Sequence, residues 1–160
     1  MVELVLSEDE VWKVLQGISD PEIPVLSIVE LNIVREVLVH GSEVIVTITP
    51  TFFGCPALDM IAELIREKLL AIGFTEVQVN RSFSAEWSTD LLDQSVRNKL
   101  EHFGIAPPEN SAQVTIDIPT LCPFCKSAQT QLENPFGATL CKQLYYCNSC
   151  RQSFEKFKAL

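Results

Sequence analysis

Two cysteine pairs carry the most specific spacing in the chain: Cys122-Pro123-Phe124-Cys125 and Cys147-Asn148-Ser149-Cys150, separated by 21 residues. Each C-x₂-C turn brings two thiolates toward one point. Two such turns supply four soft donors for a tetrahedral divalent ion, of which zinc is the usual occupant. Iron in a rubredoxin-like site uses the same ligands, and a pair of disulfides is a third arrangement. Four thiolates leave no open position for water, so the expected role is structural. A segment of about 40 residues buries too little surface to fold alone, and a metal would supply most of its stability. Cys141 is a fifth cysteine in this segment, either a packed thiol or an alternative ligand. Lys142, Arg151, Lys156 and Lys158 form a modest basic cluster there, either solvated or suited to an acidic protein partner or nucleic acid.

The second candidate is Cys55, in Thr49-Pro50-Thr51-Phe52-Phe53-Gly54-Cys55-Pro56. Pro56 suits the first position of a helix, which places Cys55 at the cap among the unpaired N–H groups of the first turn. Those donors favour a thiolate, lowering the thiol pKa and improving both metal binding and nucleophilicity. The alternative is a small buried apolar residue. Neither His40 nor His102 lies in a ligand or base motif, so a thiol enzyme built on Cys55 would have only the loop hydroxyls nearby. Asp20 and Glu22 flank the prolines of Asp20-Pro21-Glu22-Ile23-Pro24-Val25; an aspartate there ordinarily bonds nearby backbone, and a ligand role is the minority reading.

The elements that must position these residues are legible in the periodicity. Ser7-Glu8-Asp9-Glu10 is a capping box opening a helix over about 8–16. β-Branched runs at 33–39 and 44–49 meet through Gly41-Ser42 as a hairpin that leads directly into the Cys55 loop. A second helix spans about 56–72, closed by Gly73, and alternation over 76–83 predicts a third strand. Asp90 caps a third helix over about 91–103, and Trp87 is a packing anchor. The proline pair at 107–108 marks a linker. The expected organisation is α+β: a small three-stranded mixed sheet packed with helices over 1–106, a linker over 107–118, and a small zinc ribbon over 119–160.

Composition narrows the function. Of the 160 residues, 47% are hydrophobic, enough for a real core. The net charge of −9 disfavours a nucleic-acid backbone as partner. No apolar run approaches the ~18 residues of a membrane span, and Met1–Glu10 lacks the basic start of a secretory signal. The chain reads as cytoplasmic, a reducing setting in which six cysteines suit ligands better than disulfides.

Residues 8–83, through the acidic proline turn and the Cys55 loop, resemble the MIP/SufT-type domain associated with iron–sulfur cluster assembly. The segments Gly73-Phe74-Thr75, Trp87-Ser88-Thr89-Asp90, 104–108 and 136–145 resemble the PaaD family of the phenylacetate-degradation pathway, over nearly the whole chain and including the ribbon. The resemblance implies a non-enzymatic accessory, acting on protein subunits of the multicomponent oxygenase that epoxidises the ring of phenylacetyl-CoA. It would assist assembly of an iron–sulfur or di-iron centre. The family's assembly-associated cysteine maps to Cys55, able to hold a transient iron or iron–sulfur species, with Asp20, Glu22, Thr49 and Thr51 in support. A stoichiometric docking component of the same complex is the alternative. One departure is Leu31-Asn32, where relatives often have leucine–glycine; asparagine tolerates the left-handed backbone that glycine would supply. The chain contains no cluster-ligand run, no di-iron Glu-x-x-His pairs and no nucleotide loop, so it is not expected to be the oxygenase or the reductase.

Overall fold

A computed structural model describes residues 6–52, 54–84, 86–110 and 118–159. The chain divides into two compact units, residues 1–87 and 88–160.

The first unit is built on helix α1 (Glu8–Gln16), strands β1 (Val34–His40) and β2 (Glu43–Ile48), helix α2 (Ala57–Ala71) and strand β3 (Glu76–Arg81). The capping box forms as the sequence requires: Ser7 accepts from the N–H of Glu10, and the Glu10 carboxylate accepts from the N–H of Ser7 at 2.8 Å. β1 and β2 pair antiparallel and β2 and β3 pair parallel, giving the mixed order β1-β2-β3. A register shift between Val34 and Glu36 leaves Arg35 as the extra residue of a bulge. On β2 the alternation is clean: Val44, Val46 and Ile48 are buried, while Glu43, Ile45 and Thr47 are only partly so. α2 packs against β3, and α1 packs against β1 and α2. Burying Ile61, Ile65 and Leu69 of α2 contributes roughly 1.5–3 kcal/mol per side chain relative to exposure.

Asn32 adopts φ 54°, so asparagine does hold the left-handed turn between the acidic loop and β1. Trp87 is buried, and its indole N–H donates to the Leu31 carbonyl at 2.7 Å. That bond ties residue 87 to the turn that carries Asn32.

The second unit begins with a 3₁₀ turn at Thr89–Leu91, followed by α3 (Gln94–His102), β4 (Ile105–Ala106), β5 (Thr130–Asn134), β6 (Lys142–Cys147) and β7 (Ser153–Phe157). Here the structure corrects three sequence expectations. Asp90 does not cap the third helix; Asp93 does, accepting from the N–H of Val96 at 2.9 Å, so the helix starts three residues later than expected. The boundary falls at residue 87 rather than 106, because β4 pairs parallel with β7 and becomes an edge of the ribbon sheet, ordered β4-β7-β6-β5. Residues 107–110 are not a free linker either. The Pro108 carbonyl receives Arg97 Nη1, and Glu109 pairs with Lys156 Nζ at 2.6 Å. The rest of the expected linker, 111–117, lies outside the described residues.

Arg97 is the reason this unit closes so far upstream. Its buried guanidinium donates to the Leu92 carbonyl at 3.1 Å, to that of Thr89 at 2.7 Å, and to that of Pro108. One side chain thus gathers three carbonyls from two stretches of chain, residues 89–92 and residue 108, a geometry that suits its planar fork of donors.

Candidate functional site

In the ribbon, two knuckles repeat one backbone pattern. The N–H of Lys126 donates to Cys122 O at 2.9 Å, and that of Arg151 donates to Cys147 O at 2.8 Å. The N–H groups of Cys122 and Cys147 donate in turn to Ser127 O and Gln152 O at 3.0 and 2.9 Å. The two turns also touch directly through Ser127 Oγ and Ser149 Oγ, 2.7 Å apart.

Cys122, Cys125, Cys147 and Cys150 converge so that their sulfurs all lie within 4.8 Å of one another. Cys122 and Cys150 are 3.7 Å apart, and Cys125 and Cys147 3.6 Å. A tetrahedral ion with metal–sulfur bonds of about 2.3 Å requires sulfurs separated by about 3.8 Å, so the donor set fits. Disulfides do not fit, since a bonded pair stands only about 2.05 Å apart. Cys147 is lowered to about 7, chiefly by the backbone N–H of Cys150. Cys150 is pushed up to about 12, first by loss of solvent and then by the neighbouring sulfurs. Cys141 is buried outside the cluster, with its sulfur 3.1 Å from Thr139 Oγ1.

The basic cluster expected on the ribbon is largely consumed within it. Lys142 is buried and pairs with Glu155 at 2.8 Å; Lys156 is buried and pairs with Glu109; and the Lys158 ammonium lies 4.3 Å from the centre of the Phe136 ring. Arg151 is exposed.

Cys55 is half-buried, one residue further from the helix than expected: Pro56 takes the cap position and α2 begins at Ala57. Gly54 enters this turn at φ 80°, a conformation suited to glycine. The N–H of Leu58 donates to Cys55 O at 3.3 Å, and the N–H groups of Ala57 and Leu58 also act on the sulfur. The expected donors are thus in place, but the expected acidification is not. Desolvation raises the thiol pKa, with Glu22 and then Asp20 adding like-charge repulsion, and together these outweigh the two N–H groups.

Asp20 is buried, and its Oδ1 accepts from the N–H groups of both Glu22 and Ile23 at 2.8 Å. The aspartate therefore does what its place before a proline suggests: it fixes the turn. Its charge nonetheless reaches Cys55. Among the described residues, the four ribbon cysteines are the only group of three or more histidine, cysteine or acidic side chains close enough to hold a metal. Cys55, Asp20 and Glu22 share an electrostatic neighbourhood without forming such a cage.

Thr49 and Thr51 have a different neighbourhood. With Pro50, Phe52, Phe83, Glu86 and Trp87 they line a cavity of about 220 Å³, and Cys55 is not among its described lining residues. The Thr49 N–H donates to the Ile33 carbonyl at 2.8 Å, but its buried Oγ1 has no hydrogen-bond partner among the described residues. Glu86 is the lining residue that sequence reasoning missed. Its signal was its adjacency to Trp87, a buried anchor that also lines the cavity.

Comparison with known proteins follows the same two-part division. Residues 8–80 match the family model described as iron–sulfur cluster assembly protein, and residues 106–158 match that described as PaaD zinc beta ribbon domain. An Escherichia coli (strain K12) protein, provisionally named as a 1,2-phenylacetyl-CoA epoxidase subunit, is 41% identical over 94% of this chain and 92% of its own length. A Porphyromonas gingivalis protein named Fe-S protein maturation auxiliary factor is 32% identical over 61% of this chain and 94% of its own. Among solved structures, a Bacillus anthracis domain of unknown function, DUF59, superposes with a TM-score of 0.54 at 25% identity, covering 58% of this chain and 90% of its own. A conserved hypothetical protein from Thermotoga maritima gives 0.53 at 25% identity, covering 62% and 98%. With an assembly-type domain and the four-cysteine ribbon in one polypeptide, and 41% identity sustained over nearly the full length, the chain belongs to the PaaD family.

Proposed function

We propose that this protein is a non-catalytic accessory of phenylacetate catabolism that assists assembly of an iron–sulfur or di-iron centre in the phenylacetyl-CoA ring oxygenase. The observation that carries this reading is Cys55: a half-buried thiol that receives two backbone N–H groups, beside the charges of Glu22 and Asp20. A neutral thiol within the field of two carboxylates is poorly placed to be a nucleophile near neutral pH. It is well placed to exchange its proton, released to solvent, for a cation, because the cation's charge offsets the desolvation and the carboxylate repulsion that raise the pKa. Iron, or an iron–sulfur species, is the cargo. The absence of a complete ligand cage around Cys55 among the described residues suits cargo held by one thiolate and finished by ligands from the client.

In the ribbon, Cys122, Cys125, Cys147 and Cys150 hold zinc, which supplies structural cross-linking and no open coordination position. The partners are the protein components of the oxygenase.

The test is the metal content of the client. Oxygenase made without this protein is expected to be soluble but poor in iron or cluster, and Cys55→Ala should reproduce that defect with both units folded. A full metal complement in either case overturns the reading. A second reading, a stoichiometric docking component, is favoured by the Escherichia coli relative, which is named as part of the epoxidase itself. Elution with the oxygenase at a fixed ratio through size exclusion, with turnover changed by adding the protein, would select it.

A further inference from the structure

The loop that carries Cys55 has a second, separately built feature. The cavity beside it is lined by the aromatic residues Phe52, Phe83 and Trp87, and its polar lining residues are Thr49, Thr51 and Glu86. All three of these groups can accept hydrogen bonds, and the Trp87 indole N–H is already committed to Leu31 O. Thr49 Oγ1 has no exposed surface, so Thr51 and Glu86 are the polar lining residues within a ligand's reach. At about 220 Å³ the cavity is smaller than the ~300–1,000 Å³ typical of small-molecule sites, and suits one long side chain. The unit around it holds 5 basic and 14 acidic residues over 1–87, a net charge of −9 that repels anions and attracts cations.

We propose that this cavity is a docking pocket for an arginine side chain of a protein partner. The planar guanidinium stacks on the aromatic wall, and its N–H donors reach the Glu86 carboxylate and the Thr51 hydroxyl. Guanidinium fits better than ammonium because it carries five donors in a fixed plane, is weakly hydrated and stacks on rings. The proposal does not depend on metal binding at Cys55: the cavity lining excludes that residue, and arginine docking would stand if the assembly reading failed.

The test uses the full chain and three short blocked peptides, Gly-Arg-Gly, its citrulline counterpart, and Gly-Glu-Gly, followed by NMR at the Trp87 indole N–H and the Thr49 methyl. The arginine peptide should shift both signals to saturation. The citrulline peptide, isosteric but uncharged, should bind roughly ten-fold more weakly, and the glutamate peptide should leave both signals unmoved. Glu86→Gln should weaken arginine binding about ten-fold. Thr51→Val should weaken it about three-fold, and Thr49→Val, which removes a hydroxyl with no exposed surface, should leave binding unchanged. Absence of saturable shifts, equal binding of the citrulline peptide, or unchanged binding in Glu86→Gln would each overturn the proposal.

Discussion

Lys126 and Arg151 stand at the same point of two different knuckles: each follows the second cysteine of its pair, and each has left-handed backbone, with φ 63° and 61°. Neither residue is glycine, so both turns carry a conformational cost of about 1–2 kcal/mol that the thiolate cage must outweigh. Arg151→Gly should relieve that cost and slow metal release, with a net gain of up to about 1 kcal/mol after the extra entropy of glycine. Thermal unfolding of the metal-loaded chain checks the stability change, and a chelator competition checks the release rate.

Cys147→Ser should empty the four-sulfur site and unfold the ribbon. Because β4 and Arg97 belong to the same unit, the loss should extend upstream to residue 88 and leave residues 6–84 protected. Hydrogen exchange along the chain distinguishes this from loss confined to residues beyond 118.

Acid should strip the ribbon metal. Each ligand must be deprotonated to bind, and with the Cys150 thiol raised to about 12, binding a metal near neutral pH displaces its proton. Affinity should therefore fall steadily as pH falls, with protons released on metal addition. A titration in weakly buffered solution reads both.

Glu22→Gln should accelerate alkylation of Cys55. Removing the first of the two like charges that raise the thiol pKa increases the thiolate fraction at a given pH. The same shift has a sign in stability. A thiol held above its unfolded value favours the fold while protonated, so this contribution is complete below about pH 8.5 and is lost as pH rises through the folded value. Alkylation followed by mass spectrometry at several pH values gives the rate; an unchanged rate in the variant would mean that Glu22 does not act on the sulfur.

Arg97→Lys should destabilise the second unit by roughly 3 kcal/mol or more, since one ammonium cannot meet three carbonyls that lie apart in the chain. Urea unfolding followed at the ribbon would show the loss.

The helices and strands that carry a strong local signal were legible from sequence alone. The capping box at Ser7, the β2 alternation and the C-x₂-C turns each depend on residues within a few positions of one another. What was not legible depends on distant partners. Nothing local distinguishes Asp90 from Asp93 as a cap; the choice is made by the 3₁₀ turn at 89–91, which the Arg97 side chain holds from two turns away. Likewise Ile105-Ala106 is too short to read as a strand, and only pairing with β7 makes it one. At Cys55 the helix-end donors were readable, but the balance turned on desolvation and on the fold bringing Asp20 and Glu22 close, neither of which is written in spacing.

The pairing of Ile105-Ala106 with β7 also sets an order of events on the ribosome. β4 cannot find its neighbour until the chain has been made through Phe157, some fifty residues later, and β7 lies inside the sheet rather than at its margin. Every strand partner in the first unit lies within residues 34–81, so that unit can close while the ribbon is still unmade. Cys55 is then presented on a finished domain at a moment when the four ribbon thiols are nascent and unpaired. A cell short of the ribbon's metal would accumulate molecules with the Cys55 loop formed and the second unit open, a population that limited proteolysis after residue 87 would reveal.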